Sequence, residues 1–449
     1  MNLLPDKALS RAVLKISTPA VAGLSFQMIV SVAETAMVGR LENTTVVLAA
    51  LGLGTLASWA ITSVFSSLAT GTQVLVARRH GEGHFRAAGD VLNNSLVVSL
   101  VLGLVFGVLG YFFSYQFINV FSSDPAVARA GSGYMQWRFI GLSFFLLVVS
   151  YRGFFNGIGH TNVFLVSAII INVSNIILNY LLIFGAFGLP TMGLEGAGCA
   201  YGISNALGLV FFVGATFLRS YRKTYRYYSR LNLKQSIIAS SIRISIPVSL
   251  QNIMILVGFL VFIAITGVIG TSEQAASQVV TSALFMSFLP CFGFGLGAQT
   301  LVGQSLGTGN RERARVLGAE AAKLATYFTI LLGAVFILAP DLIIGIITTN
   351  REVARLARPV IQIAGAAQIV YGGGIVIAHA LQAAGATVFV MLVEVLTHWV
   401  IFLPVSYLFG VVLGGGVVGA WLALPLYVVA YSFLMLWKYR NGSWMFLKV

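Results

Sequence analysis

The chain has 449 residues, with 27 basic and 13 acidic side chains, 58% hydrophobic residues and 48 glycines. A soluble protein carries roughly one quarter charged residues, so a chain with only 9% charge could not cover a water-facing surface. Helices that satisfy their own backbone polar groups inside a bilayer suit this composition. The net charge of +14 would fit nucleic acid in a soluble protein, and its placement along the chain decides the matter here.

Apolar runs of helical length predict spans near 15–38, 46–76, 91–114, 132–156, 162–185 and 196–218, then 243–269, 277–304, 317–345, 353–383, 388–410 and 414–437. The first is too long for a signal-peptide core and lacks a small-residue cleavage site, so it is read as a retained helix. Pro19, Pro247, Pro290, Pro404 and Pro425 predict bends. Twelve spans put both termini on one side. Of the 27 basic residues, Arg40, Arg129, Arg138, Arg351, Arg355 and Arg358 fall on the opposite side, and the remaining 21, from Lys7 to Lys448, on the terminus side. The positive-inside rule therefore places both termini in the cytoplasm of a cell with an inner membrane and removes the case for nucleic acid. The connection 219–243, with its arginines (Arg230 among them) and tyrosines, reads as a cytoplasmic linker lying on anionic headgroups. Cys199 and Cys291 both lie in apolar runs, which predicts neither a disulfide framework nor a zinc site.

The two halves repeat. GTQVLVARRHGEGHFRAA (71–88) matches GAQTLVGQSLGTGNRERA (297–314) at Gly71/Gly297, Gln73/Gln299, Leu75/Leu301, Val76/Val302, Gly81/Gly307, Gly83/Gly309 and Ala88/Ala314. The same offset pairs Gly159 and Thr161 with Gly385 and Thr387, and a slightly longer one pairs Lys15, Ile16, Ser17 and Pro19 with Arg243, Ile244, Ser245 and Pro247. The expected fold is an all-α polytopic membrane protein of twelve transmembrane helices in two six-helix lobes related by an internal repeat, 1–218 and 243–449, joined by the linker 219–242. Parallel six-helix repeats are an architecture of secondary transporters.

The order and spacing of ETAMVGRL (34–41), the two Gly-rich turns above, RGFFNGIGHT (152–161), NIILNYLLIFG (175–185) and LPTMGLEGAGCAYGI (189–203) resemble the multidrug and toxic compound extrusion (MATE) family across essentially the whole chain. The resemblance implies a non-enzymatic, monomeric exporter of amphipathic, often cationic compounds, driven by inward flow of H+ or Na+ and using no other cofactor. The family's Asp at the end of the first span is Glu34 here. Position 179 looks like the second Asp of the archaeal and DinF-type branch and is Asn. The coupling Glu and Asp of the NorM-type branch have no acidic counterpart in 247–262 or 364–370, where Gly365 or a neighbour stands, which sets the chain nearer the DinF-type branch.

Intramembrane carboxylates mark ion paths because burying charge in hydrocarbon is costly. Glu34 lies about 29 Å along the first span, and Asn175, Asn179, Tyr201 and Asn205 fall at a similar depth, so these residues are the expected proton- or cation-coupling set. The alternatives are a Glu34 solvated near its helix end and paired with Arg40, and carboxamides that serve as interhelical glue. Glu394, with His398 at i+4 and His379 in the neighbouring span, reads either as a second protonation or substrate site or as a satisfied Glu/His pair near the cytoplasmic end; metal binding lacks a fixed fourth ligand. Gln27, Gln251, Asn252 and Gln368 are cleft candidates or packing groups. The rivals to export are a lipid-linked saccharide flippase, which needs cations in the cleft, and an intramembrane enzyme built on His379, Glu394 and His398.

Overall fold

The computed structural model describes residues 5–41, 44–122, 124–228 and 233–447, with the backbone alone at Met28 and Thr44. Arg230 and Lys448 lie outside the described residues. The elements are helices α1 (Lys7–Val38), α2 (Thr44–Gly81), α3 (Phe85–Asn119), α4 (Pro125–Gly157), α5 (Thr161–Phe184), α6 (Leu194–Phe217), the short α7 (Arg219–Tyr225), α8 (Gln235–Ile269), α9 (Thr271–Gly307), α10 (Arg311–Leu338), the short α11 (Pro340–Ile347), α12 (Arg351–Ala383), α13 (Thr387–Val412) and α14 (Gly416–Asn441). Among the described residues twelve of them, all but α7 and α11, are long and apolar enough to cross a membrane. The helices extend beyond the apolar runs because capped polar turns continue them. Asp124 Oδ1 accepts from the Ala126 N–H at 2.8 Å with Pro125 at the first helical position, so α4 starts seven residues before the expected 132.

The chain forms two compact units, Ala22–Ile246 and Met1–Val21 together with Pro247–Val449. The expected lobes begin at 1 and 243, whereas the first part of α1 groups with the C-terminal unit and the first part of α8 with the N-terminal one. In the N-terminal unit α4 is the hub, packing on α2, α3, α5 and α6; in the C-terminal unit α12 packs on α9, α10 and α14.

The repeated residues recur as repeated contacts. Gly83 and Gly309 have φ of +74° and +76°, a left-handed conformation that a side chain rarely adopts. Each ends its helix with the same bond from the next residue, His84 N–H to the Arg79 carbonyl and Asn310 N–H to the Ser305 carbonyl, both 3.0 Å. In the N-terminal unit a Cβ on Gly71 would lie 2.4 Å from Ser245 Oγ, and in the C-terminal unit a Cβ on Gly297 would lie 2.1 Å from Ser17 Oγ. The same glycine–serine seat occurs once in each unit.

Two tyrosines of the linker turn inward, while Arg219, Arg222, Lys223 and Arg226 stay exposed. Tyr225 and Tyr227 are buried against Phe154, Lys234 pairs with Asp90 at 2.8 Å, and the Lys234 N–H donates to Asn94 Oδ1. Burial raises the pKa of the Tyr225 and Tyr227 phenols and keeps them neutral. Stacking on protein carbon accounts for these tyrosines without a headgroup.

Candidate functional site

Glu34 is 9% exposed, one turn before the end of α1, and its Oε1 accepts a hydrogen bond from Tyr134 Oη of α4 at 3.1 Å. Arg40 is exposed and forms no ion pair with Glu34 among the described residues, so the solvated, Arg40-paired alternative does not describe this carboxylate. Tyr134 is fully buried and reaches Glu34 because Gly54 of α2 leaves room for its ring: a Cβ there would lie 2.6 Å from Tyr134 Cδ1. One turn along α4, the Arg138 guanidinium carbon stands 5.0 Å from the Tyr134 ring centroid and 4.2 Å from that of Tyr201. The close crossing of α4 and α6 permits this, since a Cβ on Gly141 would lie 2.6 Å from Gly202 Cα. Arg138 is within electrostatic reach of Glu34, Tyr134 and Tyr201. Sequence reasoning placed Arg138 near an outer helix end. It is in fact the fourteenth residue of α4, about 20 Å along the helix, and the Asp-Pro helix start was the signal that would have revealed its depth.

The expected coupling set divides. Tyr201 joins the Glu34 group through Arg138. Asn179 Nδ2 donates to Asn175 Oδ1 at 3.1 Å, and Asn175 Nδ2 donates to Ser204 Oγ at 3.3 Å. Asn205 Nδ2 donates to the Tyr201 carbonyl at 2.8 Å, within its own helix. These amides tie α5 to α6, and no hydrogen bond among the described residues joins them to Glu34.

In the C-terminal unit Glu394 is 2% exposed and accepts from Tyr427 Oη, with Tyr431 also in hydrogen-bond reach. Neither cytoplasmic solvation nor a Glu/His pair describes it. The helix widens into a π turn over Thr397–Phe402, and the His398 ring lies against Gly258. His379 is held on its own helix by the Ile375 carbonyl at 2.9 Å. Gln368 Oε1 accepts from Ser287 Oγ at 2.7 Å, and Gln382 Nε2 donates to Gln251 at 3.5 Å, both as interhelical contacts. Asn252 is half-buried and Gln27 exposed. A further buried acid that the sequence reading did not single out, Glu320 (1% exposed), accepts from the Asp6 N–H at 2.8 Å and Ser10 Oγ at 2.6 Å and pairs with Lys323. It anchors the start of α1.

Tyr427→Phe is expected to destabilise the protein by about 1–3 kcal/mol by leaving a buried carboxylate short of a donor. Combining it with Glu394→Leu should recover part of that loss. Thermal unfolding in detergent measures both, and a double variant less stable than the single one would contradict this account.

The MatE family model matches residues 19–181 and again 247–408, so one family unit is found in each half. The chain belongs to the MatE family. This MATE chain is 30% identical to the "Probable multidrug resistance protein NorM" of Burkholderia pseudomallei, over 94% of this chain and 91% of that one. It is 25% identical to the NorM protein of Thermotoga maritima over 99% and 95%, and 22% identical to the "Probable multidrug resistance protein YoeA" of Bacillus subtilis over 84% and 82%. Its fold matches an outward-facing multidrug resistance MATE transporter with a TM-score of 0.90 at 18% identity, covering 97% and 96% of the two chains. A MATE structure in a "straight conformation" matches at 0.89 and 20%, covering 97% of each. As a MATE protein the chain is a multi-pass membrane transporter and not an enzyme. The named relatives are NorM and YoeA proteins, so the expected nearness to the DinF-type branch gains no support from them, and neither does the flippase alternative.

Proposed function

We propose that this MATE chain exports small amphipathic organic compounds, chiefly cations, across the inner membrane by H+ antiport, acting as a single chain with both termini in the cytoplasm. The observation that carries the reading is the buried Glu34 with Tyr134 as its donor. Protonation of Glu34 from outside removes the charge that Tyr134 and Arg138 face, the contact between α1 and α4 loosens, and substrate affinity falls in that state. Differential affinity between two states is what converts an ion gradient into transport. Glu34 fits H+ better than Na+, because a guanidinium within electrostatic reach of the carboxylate repels a metal cation and the nearest phenol is a donor. Glu394 is a second candidate proton site.

Dye efflux from everted vesicles, run with an H+ gradient and with a Na+ gradient separately, tests this. Transport with ΔpH alone is expected; transport with Na+ alone would reverse the ion assignment, and none with either would end the export reading.

A further inference from the structure

Proton coupling at Glu34 leaves the short helix α7 without a part, yet α7 is firmly fixed. Tyr221 Oη lies 2.6 Å from His160 Nδ1 and Tyr225 Oη 3.1 Å from His80 Nδ1. The start of α3 crosses α7 so closely that a Cβ on Gly89 would lie 2.2 Å from the Tyr225 carbonyl oxygen. Tyr221 and Tyr225 share the inward face at i, i+4; Arg219, Arg222, Lys223 and the capping Arg226 share the opposite one, at i, i+3, i+4 and i+7, and all four are exposed. Lys223, Thr224 and Arg226 form one wall of an open groove of about 560 Å³, and the α2–α3 turn, with Arg86, forms the other. The acids beside the groove are taken, Glu82 by Arg79 at 2.9 Å and Asp90 by Lys234 at 2.8 Å. Among the described residues no ion pair reaches Arg86, Arg219, Arg222 or Lys223. The matching turn of the other half neutralises itself: Asn310 Oδ1 accepts from the Arg313 N–H at 2.9 Å, Glu312 pairs with Arg315 at 3.3 Å, and Arg311 lies 4.3 Å from the Phe446 ring centroid.

We propose that this groove holds the headgroup phosphate of an anionic phospholipid from the leaflet on the side of the termini, with Arg86 and Lys223 donating to the phosphate from the two walls. Charge alone would also suit a free phosphate; the apolar side chains beside the cations favour the lipid. Phe217 and Leu218, both exposed, close the membrane helix α6 directly before α7, and the Arg222 guanidinium carbon stands 5.7 Å from the Phe217 ring centroid. An arginine lying on the last exposed ring of a span carries its charge to the depth of the lipid phosphates, and an acyl chain can run along Phe217 and Leu218 below it. Clusters of basic residues at the membrane surface attract anionic lipid, and a guanidinium or ammonium bond to phosphate is charge-assisted. Because α7 begins the connection between the two halves, a bound lipid ties that connection to the membrane surface.

The test is native mass spectrometry of the purified, delipidated full-length protein in detergent, titrated with phosphatidylglycerol or with phosphatidylcholine of the same acyl chains. It needs neither a gradient nor a transport substrate, so its outcome is separate from that of the export reading. The first phosphatidylglycerol is expected to bind at least about fivefold more tightly than phosphatidylcholine, and Arg86→Gln and Lys223→Gln each to weaken it about fivefold with phosphatidylcholine unchanged. Arg313→Gln removes the same charge from an exposed position at the start of α10 and should change the phosphatidylglycerol affinity by less than about twofold. Inorganic phosphate should not displace the bound lipid. Equal affinity for the two lipids, unchanged phosphatidylglycerol binding in either groove variant, a loss in Arg313→Gln as large as theirs, or displacement by inorganic phosphate would overturn the assignment.

Discussion

Glu34→Gln is expected to abolish ΔpH-driven dye efflux, lowering the rate at least about tenfold, while the protein remains folded and monodisperse. The carboxamide keeps the size of the side chain and still accepts from Tyr134 Oη, so the 3.1 Å contact between α1 and α4 survives. What it loses is the ability to bind and release a proton. Neutral Gln in a 9% exposed position also avoids the cost of burying a charge, so stability should hold or rise. The variant thus separates coupling from folding, a separation that Glu34→Ala, by opening a void, would not achieve. Efflux at the wild-type rate under ΔpH would move the coupling site elsewhere, with Glu394 the next carboxylate to test.

Gly54→Ala is expected to impair efflux nearly as severely, although it adds one methyl group to a helix that does not contain Glu34. The added Cβ would meet Tyr134 Cδ1 at 2.6 Å and Cε1 at 2.8 Å, well inside van der Waals contact. Tyr134 is fully buried, so its ring cannot swing into open space, and interiors packed this tightly resist even one extra methylene. The ring must shift off Glu34 or α2 must withdraw from α4; the cost is about 1–3 kcal/mol. Tyr134→Phe supplies the control, because it removes the donor to Glu34 without moving the backbone. If both variants lose efflux, the Tyr134–Glu34 bond is part of the mechanism; if Gly54→Ala alone loses it, the effect is packing; if Gly54→Ala transports normally, the seat is not needed. Stability of each variant, followed by thermal unfolding, keeps the two effects apart.

Much of the molecule was legible in advance because membrane helices announce themselves by length and apolarity, and because a duplicated chain repeats its special residues. Gly83 and Gly309 had to be glycine for a local reason, a left-handed helix end, and local reasons leave sequence signatures. Glu34 and Glu394 stood out as acids in apolar runs, and both are buried. The failures were of two kinds. Arg138 was misplaced because the apolar run hides the polar first turn of α4, which Asp124 caps. The partnership of Glu394 with His398 failed because Tyr427 takes the carboxylate and the imidazole packs on Gly258, neighbours on other helices that no spacing rule names.

The sequence by itself determined twelve apolar spans, their division into two similar halves and the identity of the rare buried acids, since each depends on residues near one another in the chain or on composition. Only the tertiary structure decided that Glu34 meets Tyr134, with Arg138 in electrostatic reach, instead of the carboxamides of α5 and α6. That choice depends on which faces of α1, α2, α4 and α6 close on one another. Glycines far apart in sequence, Gly54, Gly141 and Gly202, set those approaches, and helical periodicity alone does not say which neighbour a glycine admits.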